Sequence, residues 1–350
     1  MSERTIPESK AEPRPFRAID GFRGIAALGV VLFHYSFDIL PSTSPSPMKP
    51  VFQYGVFGVE VFFVLSGFVI PYSMVRGGYG WSTFGPFMLK RYLRIAPLAY
   101  ISALLMILYH AAALWVLGRP VATGDWPGVN LRSILGNLLF HPEPFGTEWY
   151  NFVFWTLAFE FQFYVAIALL LPLLLQREHA IRNSLLMLAM LAMSPLFEGY
   201  FFRDSGYFLL GVTVFLFRQG IIGTRSCALL ITASTLAAAH KMEWVPLALA
   251  LITTSMLLWR PGMGNRFTDW LGDMSYTVYL LHMPVGYLCD SVIKRVTSIH
   301  EQAWGRVALF CLFVGVAYAS AWALHVIAER PLLKRLKRIS IRARVPALKA

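Results

Sequence analysis

A chain of 350 residues that is 57% hydrophobic and only 14% charged, with a mean hydropathy of +0.56, differs from ordinary soluble domains, in which about a quarter of residues are charged. The net charge of +12 does not point to nucleic acid, because the basic residues sit in short segments between apolar runs and in the tail. Cys227, Cys289 and Cys311 all fall in apolar runs without ligand spacing, so neither a disulfide framework nor a structural zinc is implied.

The apolar runs have membrane length and predict an all-α polytopic membrane protein, a bundle of about ten transmembrane helices. They lie at 21–39, 54–75, 93–117, 154–175, 184–201, 205–218, 226–240, 244–259, 271–292 and 305–327. The residues before Arg23 contain no apolar core followed by a small-residue cleavage site, so no cleaved signal peptide is expected. Lysine and arginine collect in the segments that include Arg14, Arg17, Arg76, Lys90, Arg91, Arg94, Arg177, Arg182, Arg260 and the tail after Arg330. The positive-inside bias then puts both termini in the cytoplasm and the chain in the cell membrane as a multi-pass protein.

The first span runs Ile19-Asp-Gly-Phe-Arg-Gly-Ile-Ala-Ala-Leu-Gly-Val-Val-Leu-Phe-His34. Arg23 and His34 are eleven residues apart, about three helical turns, so both leave the helix on one face. His34 lies about 16 Å past Arg23, near the middle of a ~30 Å hydrocarbon layer, where an ionisable group is expected to face protein or a cavity. Residues 40–53 are rich in proline and serine and predict an irregular outer loop. The second span carries Glu60 near its outer end, with Ser66-Gly67 inside it as a close-packing pair.

Lys90-Arg-Tyr-Leu-Arg-Ile-Ala-Pro97 marks the inner start of the third span. Arg91 and Arg94 are three apart and share a face. Each alone reads as a membrane anchor; beside Arg23 they make a fork suited to phosphate, which guanidinium binds bidentately. Residues 118–153 are the longest soluble stretch and carry Asp125, Trp126, His141, Glu143, Glu148, Trp149 and Tyr150. That composition fits either an interfacial aromatic belt or a sugar-contacting surface. In the fourth span Glu160 lies some six residues in from the outer side with Tyr164 one turn further on; a carboxylate at that depth needs a partner. In the ninth span Ser275, Tyr279 and His282 follow i, i+4, i+7 and form one polar stripe. The two deep histidines lack further ligands, so no metal is expected.

Asp20-Gly-Phe-Arg-Gly-Ile-Ala…His34, Gly58-Val-Glu-Val-Phe-Phe-Val-Leu-Ser-Gly-Phe68, Arg91-Tyr-Leu-Arg-Ile-Ala-Pro97, Trp155-Thr-Leu-Ala-Phe-Glu160…Tyr164, Ser275-Tyr-Thr-Val-Tyr-Leu-Leu-His282-Met-Pro and Glu329-Arg-Pro331 occur in this order. Taken together they resemble the acyltransferase 3 family of integral-membrane O-acyltransferases, from about residue 17 to 336. The resemblance implies transfer of an acyl group, commonly acetyl, from cytoplasmic acyl-CoA to a hydroxyl on a sugar or on a cell-envelope or exported glycan. It maps the first-helix arginine and histidine of the family onto Arg23 and His34, and its paired arginines onto Arg91 and Arg94. Many members have a second acidic residue directly after the one matching Glu160; here it is Phe161. Some members also carry a C-terminal extracytoplasmic esterase-like domain that is not read here, so the acceptor is either the glycan itself or a separate extracytoplasmic protein.

The chain is therefore expected to consist of a cytoplasmic tail over 1–16, a transmembrane acyltransferase domain over 17–336 and a basic cytoplasmic tail over 337–350. Arg23, Arg91 and Arg94 are expected to hold the phosphates of the acyl-CoA donor substrate, with no bound cofactor and no metal. His34 is expected either to deprotonate the acceptor hydroxyl or to carry the acyl group itself. Asp20 is placed to orient Arg23, and Glu160 and His282 to bind or position the acceptor. Lipid, acyl-CoA and a glycan or lipid-linked sugar are the expected partners. The same buried ionisable groups also suit a proton-coupled transporter or a lipid-linked sugar flippase; the arginine cluster and the ordered motifs favour the enzyme.

Overall fold

The computed structural model describes residues 17–40, 48–118, 126–192, 201–239, 243–259, 265–296, 298–299 and 302–338. The described residues form helices and turns and no strand, as expected for a chain whose backbone groups must bond internally in hydrocarbon. The helices are α1 (Arg17–His34), the short α2 (Lys49–Phe52), α3 (Gly58–Arg76), α4 (Phe84–Leu117), α5 (Leu131–Leu138), α6 (Trp155–Leu174), α7 (Ala180–Ala192), α8 (Ser205–Arg218), α9 (Thr224–Ala238), α10 (Trp244–Trp259), α11 (Arg266–Val296), α12 (Ala303–Leu324) and α13 (Arg330–Arg338).

Among the described residues, five stretches are long and apolar enough to cross a membrane: Ile19–Ile39, Lys49–Arg76, Trp81–Val116, Phe152–Leu174 and Ala303–Leu336. Ser205–Arg218 and Trp244–Trp259 are shorter apolar helices. Each of the ten predicted spans lies on a helix, with 193–200 and 240 outside the described residues. The third span begins earlier than expected, so Lys90, Arg91 and Arg94 lie within α4 rather than at its mouth.

Helix contacts are set by small residues. A Cβ on Gly24 of α1 would lie 2.5 Å from the Leu271 Cβ of α11, and one on Gly272 would lie 2.3 Å from the Asp20 carbonyl oxygen. α3 meets α8 through Gly67 and Gly211, where added Cβ atoms would fall 1.9 Å from the Phe208 carbonyl oxygen and 2.1 Å from that of Val64. Backbones this close gain dispersion contacts that larger side chains would prevent.

Two prolines inside helices free carbonyls that other elements then satisfy. Pro284 in α11 has no N–H for the Leu280 carbonyl, which instead accepts from Ser102 Oγ of α4 at 2.7 Å and Asn151 Nδ2 at 3.1 Å. Pro172 in α6 leaves the Ala168 carbonyl, which accepts from the Tyr79 hydroxyl at 2.9 Å. The proline positions thus become joints between helices.

One side of the stretch 126–154 packs onto the bundle, while residues such as Asn130, Arg132, Glu143 and Glu148 stay exposed. Asn137 Nδ2 donates to the Ser133 and Glu148 carbonyls, and the Tyr150 N–H donates to Asn137 Oδ1 at 2.8 Å, so α5 and the following turn close into one unit. Tyr100 of α4 donates its hydroxyl to the Leu138 carbonyl at 2.6 Å. Phe140, at φ 53°, is buried, stacking on Tyr100 and on Phe161 of α6. Trp126 stacks on His110 with ring centroids 3.8 Å apart. Apolar side chains draw the segment into the bundle; Asp125 lies outside the described residues.

Two π-helical turns, Tyr35–Ile39 after α1 and His325–Glu329 after α12, interrupt the regular ladder. In the second, buried Glu329 accepts from His325 Nδ1 at 2.7 Å and from the Thr277 hydroxyl, tying the end of α12 to α11. The first turn forms part of the site described next.

Candidate active site

α1, α3, α4, α6 and α11 enclose a cavity of about 100 Å³. One end is charged: Arg23 from α1, Arg91 and Arg94 from α4, and Glu160 and Tyr164 from α6 all line it. The i, i+3 spacing turns Arg91 and Arg94 to the same side of α4. Arg91 Nη2 donates to Ser73 Oγ at 2.5 Å, and its guanidinium lies over the Phe87 and Tyr164 rings at 5.4 and 5.5 Å. Among the described residues neither Arg23 nor Arg94 makes a hydrogen bond or salt bridge, although the charges of Arg94, Asp20 and Glu160 all act on Arg23. Asp20 therefore acts on Arg23 as a nearby charge rather than as a bonded clamp.

The partner that Glu160 requires at this depth is the Tyr164 hydroxyl, which donates to Oε1 from one turn along α6. Phe161 does not line the cavity; its ring stacks on Phe140 at 5.2 Å. An aromatic residue next to Glu160 thus docks the 126–154 segment.

The rest of the lining is largely apolar, from Val59, Phe62, Phe63, Leu65, Val69 and Ile70 of α3 with Ile95 and Leu157, and it closes at Thr156 and Tyr279. Tyr279 Oη lies 2.8 Å from Thr156 Oγ1 and donates to the Val153 carbonyl at 3.2 Å. Ser66 and Ser275 also face the cavity, whereas Gly67 serves the contact with α8.

His34 and His282 are not among the residues that line this cavity. They form a second centre one turn further along α11, their ring centroids 5.2 Å apart. The predicted stripe is therefore divided: Ser275 and Tyr279 face the cavity and His282 faces His34. His282 is 0% exposed. Its Nδ1 lies 2.7 Å from the Tyr279 carbonyl, which can only accept, so Nδ1 carries the proton. Its Nε2 is then a bare acceptor with no partner among the described residues. Pro284 shapes this stretch, and the Tyr35 hydroxyl holds the His282 carbonyl at 2.8 Å.

His34 Nδ1 bonds Asp38 Oδ2 at 2.6 Å across the π-helical turn. An ionised Asp38 accepts only, which fixes the proton on Nδ1 and leaves Nε2 as the basic nitrogen. The pair is buried at the imidazole and open at the carboxylate, with side chains 11% and 40% exposed. Phe152 closes another side, edge-on to His34 at 5.2 Å. Asp38, Asn151 and Phe152 were not singled out from sequence. The i, i+4 spacing of His34 and Asp38 was the available signal for one of them; the role of Asn151 depends on a carbonyl freed by a distant proline.

A model of the acyltransferase domain of the acyltransferase 3 family matches residues 16–326. "Protein 2 in picA locus" of Rhizobium radiobacter is 34% identical over 145 residues, covering 39% of this chain and 70% of that protein. "Acyltransferase MdmB" of Streptomyces mycarofaciens is 25% identical over 93% of this chain and 94% of its own length. "Putative peptidoglycan O-acetyltransferase YrhL" of Bacillus subtilis is 24% identical over 86% of this chain, which spans 53% of that longer protein. No solved structure matches.

Proposed function

The chain belongs to the acyltransferase 3 family and is a multi-pass membrane acyltransferase, and on that premise we propose that it moves an acetyl group from cytoplasmic acetyl-CoA to a hydroxyl of a cell-envelope or exported glycan. The observation that carries this reading is the meeting of Arg23, Arg91 and Arg94 at one end of a cavity whose remainder is largely apolar. Three guanidiniums, two of them without a hydrogen-bond partner among the described residues, suit a polyanion, and phosphates are the anions guanidinium binds bidentately. The apolar run beyond them suits the uncharged arm and acyl group of a CoA thioester. Arg23, Arg91 and Arg94 bind donor phosphates in this reading, and Glu160, bonded to Tyr164, keeps that end from holding only positive charge.

His34 acts as the base, supported by the Asp38 bond that leaves Nε2 free. It takes the acceptor hydroxyl proton as the oxygen attacks the thioester carbonyl; the C–S bond breaks, and the proton passes to the departing CoA thiolate. A positioned base of this kind contributes about 10²–10⁴-fold. His282 Nε2 accepts a hydrogen bond from the acceptor and positions it. The ten helices cross the cell membrane with both termini in the cytoplasm, and the acceptor is either the glycan or a separate extracytoplasmic protein that passes the acyl group on.

Purified protein incubated with acetyl-CoA and envelope glycan should release free CoA and produce acetylated glycan. Absence of both, with well-folded protein and a range of envelope glycans, would reject the reading.

A further inference from the structure

His34 and His282 are not among the residues lining the cavity, and one side chain, Tyr279, adjoins both regions. Tyr279 lines the cavity, with its ring 6.0 Å from that of Phe62. The same ring lies 5.8 Å from that of His282. Its hydroxyl is held by Thr156 and by the Val153 carbonyl, both on the segment that leads into α6. Thr156 Oγ1 also lies 2.9 Å from the Val153 carbonyl, so the two hydroxyls and that carbonyl form one hydrogen-bonded cluster. The ring is thereby pinned across the end of the cavity by polar bonds rather than by apolar packing alone.

We propose that Tyr279, latched by Thr156, is a positioning residue that separates the donor cavity from the His34–His282 pair until bound substrate displaces it. This rests on the assignment of the cavity to acyl-CoA given above. The chemistry requires such a partition. A thioester within reach of an activated imidazole and water is hydrolysed: water adds to the carbonyl, the C–S bond breaks, and free acid and CoA thiol leave. A barrier released only when the acceptor is seated directs the acyl group to the acceptor instead. The cost of release is small, because the hydroxyl–hydroxyl bond is worth little net and a ligand hydroxyl replaces it.

Tyr279→Phe and Thr156→Val each remove the latch with almost no change in shape. Both should raise acyl-CoA hydrolysis without acceptor by about five- to tenfold, the factor that loss of one hydrogen bond allows. Both should lower the ratio of transfer to hydrolysis, Tyr279→Phe at least as much as Thr156→Val because it also removes the bond to the Val153 carbonyl, and the double variant should do no more than Tyr279→Phe alone. A second readout needs no acyl-CoA. In a chain with Cys227, Cys289 and Cys311 replaced by serine, a Phe62→Cys thiol should react faster in the Tyr279→Phe background. The reagent is a membrane-impermeant thiol reagent added only to the histidine side of sealed proteoliposomes. Unchanged labelling together with an unchanged transfer-to-hydrolysis ratio in both variants overturns the proposal. If the parent protein turns over no acyl-CoA, the labelling still decides the partition, and only the donor assignment falls.

Discussion

His34 and Asp38 bond across a single π-helical turn, and replacing each separates two parts of one base. His34→Ala should abolish acyl transfer while leaving insertion intact. Asp38→Asn should lower kcat by about 10²-fold, the lower end of what a positioned base contributes, and leave KM for acyl-CoA near its original value. The amide presents either oxygen or nitrogen to Nδ1 and no longer fixes the tautomer. A full-activity Asp38→Asn enzyme would remove Asp38 from the mechanism. The arginines give the opposite pattern. Arg91→Ala and Arg94→Ala should raise KM for acyl-CoA more than they lower kcat, as for binding equal in ground and transition states. Lysine should rescue poorly at either position, because a point charge lacks the bidentate fork. Good rescue by lysine, with loss of protein abundance in the alanine variants, would reassign both to membrane anchoring.

Between residue and molecule lie the joints that hold the histidine centre. The Leu280 carbonyl, freed by Pro284, is satisfied by Ser102 and Asn151, so three elements meet two residues from His282. A Ser102→Ala/Asn151→Ala variant leaves that buried carbonyl without a donor and should lose about 1–3 kcal/mol. A lower thermal midpoint in detergent would show it. Adding Pro284→Ala returns an N–H at position 284 and should recover part of the loss. No recovery would mean that the pair acts through packing alone. The same joint explains how the 126–154 segment reaches the site: Asn151 fixes the backbone that carries Phe152 beside His34.

For the whole molecule the consequence is sidedness. If Tyr279 separates the arginines from the His34–Asp38 pair as proposed, donor and acceptor are expected to approach from different directions. In proteoliposomes of known orientation, product should form when acetyl-CoA faces the Arg91 side and acceptor faces the Asp38 side. Efficient product with both substrates confined to the Arg91 side would make the enzyme a single-face acyltransferase.

Helix, membrane and family were legible in the sequence because each rests on local chemistry. A run of apolar residues has to be helical in hydrocarbon whatever surrounds it, and Arg91 and Arg94 share a face because three residues make nearly one turn. The tertiary structure decided what those faces meet. Arg23 and His34 do leave the same helix on one side by spacing, yet Arg23 enters the cavity and His34 meets His282 beyond Tyr279. The stretch 126–154 reads as a solvated loop from its polar residues, but Phe140 and Trp126 dock one side of it against α4 and α6. Periodicity records which way a side chain leaves its own helix; which neighbour it meets depends on helix crossings fixed by remote glycines and prolines, and those partners are far away in the chain.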